Sequence, residues 1–338
     1  MNQREPIRRR VTSYDVAEAA GVSQSAVSRC FKPGASVSKR MRERVMRAAR
    51  ELDYQPNAIA RSLITRRSNM VAVVMSQKTT LYYPEILVSL SQQLSARGER
   101  VLLFTLESES DIDDLLDQML QYQVDGLIIA ARLSAQQIEA VERRRVPFVF
   151  YNRTFADRAI NAVCCDQVEG EQLLVDRLVA AGHQRFGIIA GPADSSVGTE
   201  RTEGALNRLH ELGVEKTSVV EGDFSYASGK QGIQRLFAMD PDIDAVICAN
   251  DVTAIGCIDG ARHVLGKSVP DALSIVGFDG VGAAQWSSYD LTTVRQPVAR
   301  MCAASVSMIL QRAEDPDMPP EKRVFSGELV IGSSARLG

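Results

Sequence analysis

Gln24, Ser25, Ser28 and Arg29 place an amide, two hydroxyls and a guanidinium along one short stretch of chain. Such side chains can read base edges, since glutamine pairs bidentately with adenine and arginine with guanine. A second polar set follows apolar, strand-like runs: Asn152-Arg153, Asp166, Gly191-Pro192, Asp223, Asn250-Asp251, Asp279-Gly280 and Gln296. In open parallel sheets these positions border the ligand crevice, although each alone also suits an ordinary turn or helix N-cap. Catalysis has little support. His183, His210 and His263 are the only histidines, none beside a serine or cysteine nucleophile motif, and Val276-Gly-Phe-Asp-Gly280 is not a phosphate-binding fingerprint. Cys30, Cys164, Cys165, Cys248, Cys257 and Cys302 lack CxxC spacing, so buried thiols in a reducing compartment are expected, with no metal, cofactor or disulfide framework.

The first polar set must be held by residues 12–31, which read as two short amphipathic helices joined at Gly21-Val22. Val16, Ala17 and Ala20 fall on one helical face, Gly21 permits a left-handed turn, Ser23 can cap the second helix, and Val27 is its buried residue. This is a helix-turn-helix pattern, open to two readings: a DNA-reading unit, or a helical packing unit with a solvated polar face. Charge favours the first. Residues 1–68 carry 15 Lys and Arg against 6 Asp and Glu, a net +9, while the remainder carries 24 against 36, a net −12. A basic segment on an acidic body points to a polyanion partner at the N-terminal end. A third helix is expected over 38–52, with Val45, Ala48, Ala49 and Leu52 inward. Arg40, Arg42, Arg44, Arg47 and Arg50 are then outward, either solvated or near phosphates. Residues 54–63 follow, where Pro56 and the N-cap Asn57 introduce a helix too short to be stable alone. It would fold on docking, or serve as a plain linker.

The second polar set belongs to a body with different grammar. Apolar runs at 71–75, 101–105, 126–130, 148–152, 162–166, 186–191, 219–223, 245–250, 274–279 and 292–296 alternate with amphipathic stretches such as 84–97, 111–122, 169–181, 201–212, 251–265 and 298–312. That alternation predicts parallel sheets covered by helices on both faces, and this many strands suit two similar subdomains facing across a cleft. No run approaches the roughly 20 apolar residues of a membrane span. Arg8-Arg9-Arg10, with no apolar run behind it, reads as an arm rather than a secretory signal, so a cytoplasmic protein is expected.

Tyr14-Asp-Val-Ala-Glu-Ala-Ala-Gly-Val-Ser23, Ala26-Val-Ser-Arg29 and Tyr54-x-Pro-Asn57-x-x-Ala60-Arg61-x-Leu63 together resemble the LacI/GalR family of bacterial transcription factors. Ala181-Gly-His183, Ile189-Ala-Gly-Pro192, Ala249-Asn-Asp251, Ile275-Val-Gly-Phe-Asp279 and Leu291-Thr-Thr-Val-Arg-Gln-Pro297 extend the resemblance over essentially the whole chain. It implies a helix-turn-helix DNA-binding domain over 1–56, a hinge helix and linker over 57–68, and a periplasmic-binding-protein-like body over 69–338. The body would be two doubly wound parallel-sheet subdomains, 69–165 with 296–327 and 166–295 with 328–338. It further implies a homodimer on a pseudo-palindromic operator, with the chain's end at Gly338 leaving no room for a tetramer-forming helix.

By the same resemblance Gln24, Ser25 and Arg29 would read bases, Tyr14 and Ser28 would hold phosphates, and Ser23, Asn57 and Ala60 would complete the DNA-contacting set. Leu63 would wedge into the minor groove. The effector would be a small hydroxylated molecule, a sugar, polyol or sugar acid, held by Tyr82, Tyr83, Asn152, Arg201, Phe224, Asn250, Asp279 and Gln296. Asn152 replaces an aspartate common in the family, and Thr80-Leu81 replaces an Asn-Pro. Control by a partner protein in place of a small molecule remains an alternative; a solute-binding protein is a remoter one, disfavoured by the basic helical segment.

Overall fold

The computed structural model describes residues 11–32, 34–56, 67–76, 83–106, 112–155, 158–193 and 195–338. The chain divides into two compact units, Met1–Ser68 and Asn69–Gly338. In the first, α1 (Ser13–Ala20), α2 (Gln24–Phe31) and α3 (Lys39–Glu51) enclose a small core of Val16, Ala17, Ala20, Val27, Cys30, Val45, Ala48 and Ala49. Each helix starts where a side chain satisfies an orphan amide. Thr12 and Asp15 form a reciprocal capping box on α1, Ser23 accepts from Ala26 N, and Ser38 accepts from Met41 N. Gly21 ends α1 at φ +60°, so the α1–α2 turn rests on a conformation that residues with a Cβ disfavour.

The second unit contains two six-stranded sheets. One holds β1 (Met70–Ser76), β2 (Arg100–Leu106), β3 (Gly126–Ala130), β4 (Phe148–Tyr151), β5 (Ala162–Cys165) and β11 (Lys322–Phe325), in the order β11-β5-β4-β3-β1-β2. The other holds β6 (Arg185–Ile189), β7 (Lys216–Val220), β8 (Ala245–Cys248), β9 (Ser274–Asp279), β10 (Thr292–Arg295) and β12 (Glu328–Val330), in the order β12-β10-β9-β8-β6-β7. The orders match strand for strand, so the two halves repeat one topology. Central strands are apolar and buried, Gly126–Ala130 and Ser274–Asp279 throughout, because helices cover both faces. The helices are α4 (Tyr83–Ser95), α5 (Ile112–Gln121), α6 (Ala135–Arg143), α7 (Gln167–Ala180), α8 (Ser196–Glu211), α9 (Tyr226–Met239), α10 (Asp251–His263) and α11 (Val298–Glu314).

The chain passes between the sheets three times: from β5 into α7, which packs on α8, β10 and β12; from β10 into α11, which packs on α4 and β3 to β5; and from β11 into β12. Three expectations from sequence need correction. The second sheet is not wholly parallel, because β12 returns antiparallel to β10. The strand expected at 219–223 lies at Lys216–Val220: as a sheet edge it tolerates the exposed Lys216 and the polar Thr217 and Ser218, and Gly222 and Asp223 belong to the following turn. Helix α8 starts at Ser196 rather than 201, because Ser195 caps it through Gly198 N. All six cysteines are buried, and burial pushes the Cys164 thiol up to about 11. Among the described residues no helix is long and apolar enough to cross a membrane.

Candidate functional site

In the first unit, α2 buries Ala26, Val27 and Cys30 and turns Ser25, Ser28 and Arg29 outward. Tyr14 on α1 is 71% exposed. Gln24 is less free than its position implies: its Nε2 donates to Ser13 Oγ across the α1–α2 turn at 3.2 Å. Ser23 and Ser25 share a hydroxyl contact of 3.0 Å, so Ser23 serves both as helix cap and as neighbour of a candidate base reader. The arginines of α3 separate into two roles. Arg40, Arg44, Arg47 and Arg50 are exposed, but Arg42 donates through Nη1 to Cys30 O at 2.9 Å and through Nη2 to Ala35 O at 3.3 Å, tying α3 to the end of α2. Asn57, Ala60, Leu63 and Tyr82 lie outside the described residues, and Tyr83 is placed only as the first residue of α4.

In the second unit, Asn152, Arg201, Phe224, Asn250, Asp279 and Gln296 converge on one pocket that opens to solvent. Tyr151 ends β4 and Asn152 follows it, Asn250 follows β8, Asp279 ends β9 and Gln296 follows β10, so the pocket gathers strand carboxyl ends from both sheets. The remaining strand-end residues have structural roles. Asp166 caps α7 through Glu169 N, Asp223 accepts from Ser225 N, and Asp251 accepts from Thr293 Oγ1 at 2.6 Å and Val281 N at 2.8 Å. Burial, then the nearby Asp279 charge, push the Asp251 carboxyl up to about 7 against those hydrogen bonds.

The pocket's polar side chains form a closed circuit. Arg201 Nη2 donates to Asp279 Oδ1 (2.8 Å), which also accepts from Gln296 Nε2 (2.7 Å); Asn152 Nδ2 donates to Gln296 Oε1 (3.0 Å). Gln167 Nε2 donates to Asn152 Oδ1 (2.9 Å), and Arg201 Nε donates to Gln167 Oε1 (2.7 Å), closing the ring. Arg201 Nη1 donates to Ala249 O at 2.6 Å, so every guanidinium nitrogen is engaged. The circuit joins Asn152, just beyond β4 of the first sheet, to Asp279 at the end of β9 in the second and to Arg201 on α8, through two residues of the crossing segments, Gln167 and Gln296. Asn250 caps α10 through Thr253 N and donates to Phe224 O at 3.2 Å, which orients the aromatic residue.

Local backbone and packing hold this arrangement. Asn152, Phe224 and Asp279 have φ of +54°, +66° and +123°, conformations that non-glycine residues keep only where the surroundings enforce them. The Arg201 guanidinium stacks on Phe278 at 3.8 Å from the ring centroid, and Gly170 supplies the space beneath that ring, since a Cβ there would lie 2.5 Å from it. Behind Arg201, Glu171 of α7 is buried, and neither carboxylate oxygen has a hydrogen-bond partner among the described residues. Burial pushes its carboxyl up to about 8 despite the lowering effect of Arg201.

Sequence reasoning did not assign Ala130, Tyr151 or Val197 to the pocket wall, named Arg153 only as a strand end and not as a ligand contact, and did not find Gln167, which belongs to the circuit rather than to the lining. Gln167 had no signal beyond following Asp166. His183 is an internal structural histidine, its ring bonded to Arg336 O and beside Asp244 at 3.4 Å.

Two family descriptions match this architecture. "Bacterial regulatory proteins, lacI family" matches residues 12–57, and "Periplasmic binding proteins and sugar binding domain of LacI family" matches residues 68–317. The chain belongs to the LacI family and is a ligand-controlled, DNA-binding transcriptional regulator. It is similar to the HTH-type transcriptional regulator CelR of Thermobifida fusca, 31% identical over 337 residues, which covers 97% of this chain and 99% of the relative. Among solved structures, a Lac repressor dimer bound to operator and the anti-inducer ONPF superposes with a TM-score of 0.88 at 28% identity, covering 96% of this chain and 99% of that one. A CelR–cellobiose complex gives 0.74 at 30% identity, covering 96% and 100%.

Proposed function

We propose that this protein is a cytoplasmic, nucleoid-associated repressor without enzymatic activity, a dimer that binds a pseudo-palindromic operator under the control of a small hydroxylated molecule in the body's cleft. The observation that carries this reading is the circuit Asn152-Gln296-Asp279-Arg201-Gln167, whose members come from both sheets and the segments between them. A ligand bonding to members from both sheets binds one spacing of the subdomains better than another, and only that difference can be passed on to DNA. The likeness to the operator-bound Lac repressor dimer and to cellobiose-bound CelR supports both halves of the reading.

On the DNA side, α2 enters the major groove, Gln24, Ser25 and Arg29 read base edges, and Tyr14 and Ser28 hold phosphates. Asn57, Ala60 and Leu63 contact the operator centre. The exposed arginines of α3 add charge near the phosphates, so affinity falls steeply with salt. On the ligand side, Asp279 and Asn250 take hydroxyls and Phe224 takes the apolar ring face. Two units of organisation follow: 1–56 with its hinge at 57–68 for DNA, and 69–338 for ligand and dimer.

The test combines selection of bound DNA from a random pool with a panel of sugars, polyols, sugar acids and sugar phosphates scored by heat of binding and by operator affinity. The expected result is a two-fold symmetric site and at least one panel member that binds through Asp279 and shifts operator affinity. A selected site without symmetry would contradict the dimer, and a response surviving Asp279→Asn would move the ligand elsewhere.

A further inference from the structure

The circuit gives Glu171 of α7 no bond, although the residue lies beside it. Glu171 is 1% exposed, and neither carboxylate oxygen has a hydrogen-bond partner among the described residues. An unbonded buried carboxyl costs free energy, so its presence calls for a reason. The fold brings it to Arg201. Gly204 stands three residues after Arg201 on α8, on a neighbouring part of the same face, and lets α7 approach: a Cβ there would lie 3.2 Å from Val168 Cα and 3.5 Å from Glu171 Cβ. Arg201 and then Asp279 are the charges that act on Glu171, and the buried Cys248 thiol of β8 is within electrostatic reach of it. Asp251 of α10 acts on Asp279 and is held by Thr293 and Val281. The strands packed on α7 carry Arg295 on β10 and the exposed Glu328 on β12, and neither shifts the Glu171 carboxyl.

Arg201 therefore has two carboxyls near it and bonds one. Its donations to Gln167, Ala249 O and Asp279 use three of the five N–H groups of a guanidinium, so about two remain. While Asp279 neutralises Arg201, burial keeps the proton on Glu171, whose carboxyl is pushed up to about 8. If Asp279 is drawn off or loses its charge, the buried cation is left without a counter-charge, a costly state. Glu171 can supply that charge by losing its proton to solvent, and the carboxylate so formed gains the bonds that the neutral acid lacks.

We propose that Glu171 is a positioning residue for Arg201, a reserve counter-ion that releases its proton and takes the guanidinium when a ligand's hydroxyls draw Asp279 away. Ligand binding is then accompanied by proton release, and Arg201 stays neutralised in both states of the cleft. The role of ligand in this exchange rests on the cleft being the ligand site; the competition of Asp279 and Glu171 for Arg201 does not.

That competition is tested without ligand, with Asp279→Asn standing for an Asp279 that no longer neutralises Arg201. Urea denaturation of the full chain at about pH 9, above the Glu171 value, compares the wild type, Glu171→Gln, Asp279→Asn and the double variant. In the wild-type background Glu171→Gln removes a buried, unpaired carboxylate and should raise the urea midpoint. In the Asp279→Asn background the same change strips Arg201 of its remaining carboxylate and should lower the midpoint by at least about 0.5 M. The reversal of sign is the readout, because a residue that merely fills space shifts both backgrounds alike. The pH profile is the second readout: the share of the wild type's loss of stability toward pH 8 that Glu171→Gln removes should be absent in Asp279→Asn, where Glu171 is already ionised against Arg201. An equal shift in both backgrounds, no lowering in the Asp279→Asn background, or a Glu171-dependent pH profile unchanged by Asp279→Asn overturns the assignment. If Asp279→Asn and Asp279→Ser both fail to fold at that pH, Glu171 has not taken the guanidinium, and the assignment falls as well. The sugar panel tests the cleft as ligand site independently of these outcomes.

Discussion

On α2, Ser25, Ser28 and Arg29 stand exposed, while in the cleft Asn152, Arg201, Asn250, Asp279 and Gln296 are each no more than 6% exposed and bonded to one another or to backbone. Both regions use amides, hydroxyls and charges, but they keep them in opposite conditions. Water can satisfy the α2 groups until DNA displaces it, so those side chains need little internal support. Groups in the cleft have little water, and an unbonded one would cost free energy, so the protein supplies their partners in advance. On the proposed reading, DNA adds contacts to a free surface, whereas a ligand exchanges bonds within an existing circuit. Exchange of this kind also reaches both sheets, because the circuit already does.

The contrast is broken most severely at Arg201. Arg201→Ala removes one partner of a buried pair and strands Asp279, Gln167 and Ala249 O, so urea denaturation should show a loss of about 3–5 kcal/mol. A loss under about 1 kcal/mol would mean that water reaches the circuit freely.

Glu171 sharpens the same side through pH. Its folded value, about 8, lies above its ordinary 4.5, so its proton stabilises the fold at low pH and that contribution is lost as pH rises from about 4.5 to 8. Glu171→Gln should remove up to about 5 kcal/mol of the fall in stability between those limits, with Asp251 left to contribute a smaller fall of the same sign. Identical pH profiles for variant and wild type would show that Glu171 is already ionised in the fold.

In the first unit the effects are smaller, and at the exposed face of α2 they act on DNA. Arg29→Ala should cost about 1–3 kcal/mol at one symmetric base position with unchanged thermal stability, measured by anisotropy on single-base operator variants. Equal loss on every sequence would make Arg29 a phosphate contact. Smallest is Ser23→Ala, about 1 kcal/mol in the stability of the first unit through loss of the α2 cap.

The two regions also differed in how far they could be read from sequence. The helix-turn-helix was legible because its determinants are local: Val16, Ala17 and Ala20 at helical spacing, Gly21 at the turn, and caps at Ser23 and Ser38. Arg42 escaped, since its carbonyl partners depend on how α3 crosses α2. For the cleft, the polar strand ends were visible as a set, but sorting Asp166 as a cap and Asp223 as a turn residue from Asn152 and Asp279 as pocket residues requires knowing which strand ends face each other. Residue order along the chain does not carry that information. Gln167 bonds Arg201 across 34 positions and looked like an ordinary helix start. The short, polar edge strands β11 and β12 lacked the apolar runs that reveal the central strands.

The central claim, that the cleft circuit links ligand to DNA, is tested most directly by one titration. Operator affinity is measured by fluorescence anisotropy with and without the tightest-binding sugar of the panel, in the wild type and in Asp279→Asn. The account predicts a ligand-induced change of at least about tenfold in the wild type, and in the variant an unliganded affinity like the wild type's that the sugar no longer alters. A variant whose operator affinity still responds to the sugar as the wild type does would contradict it.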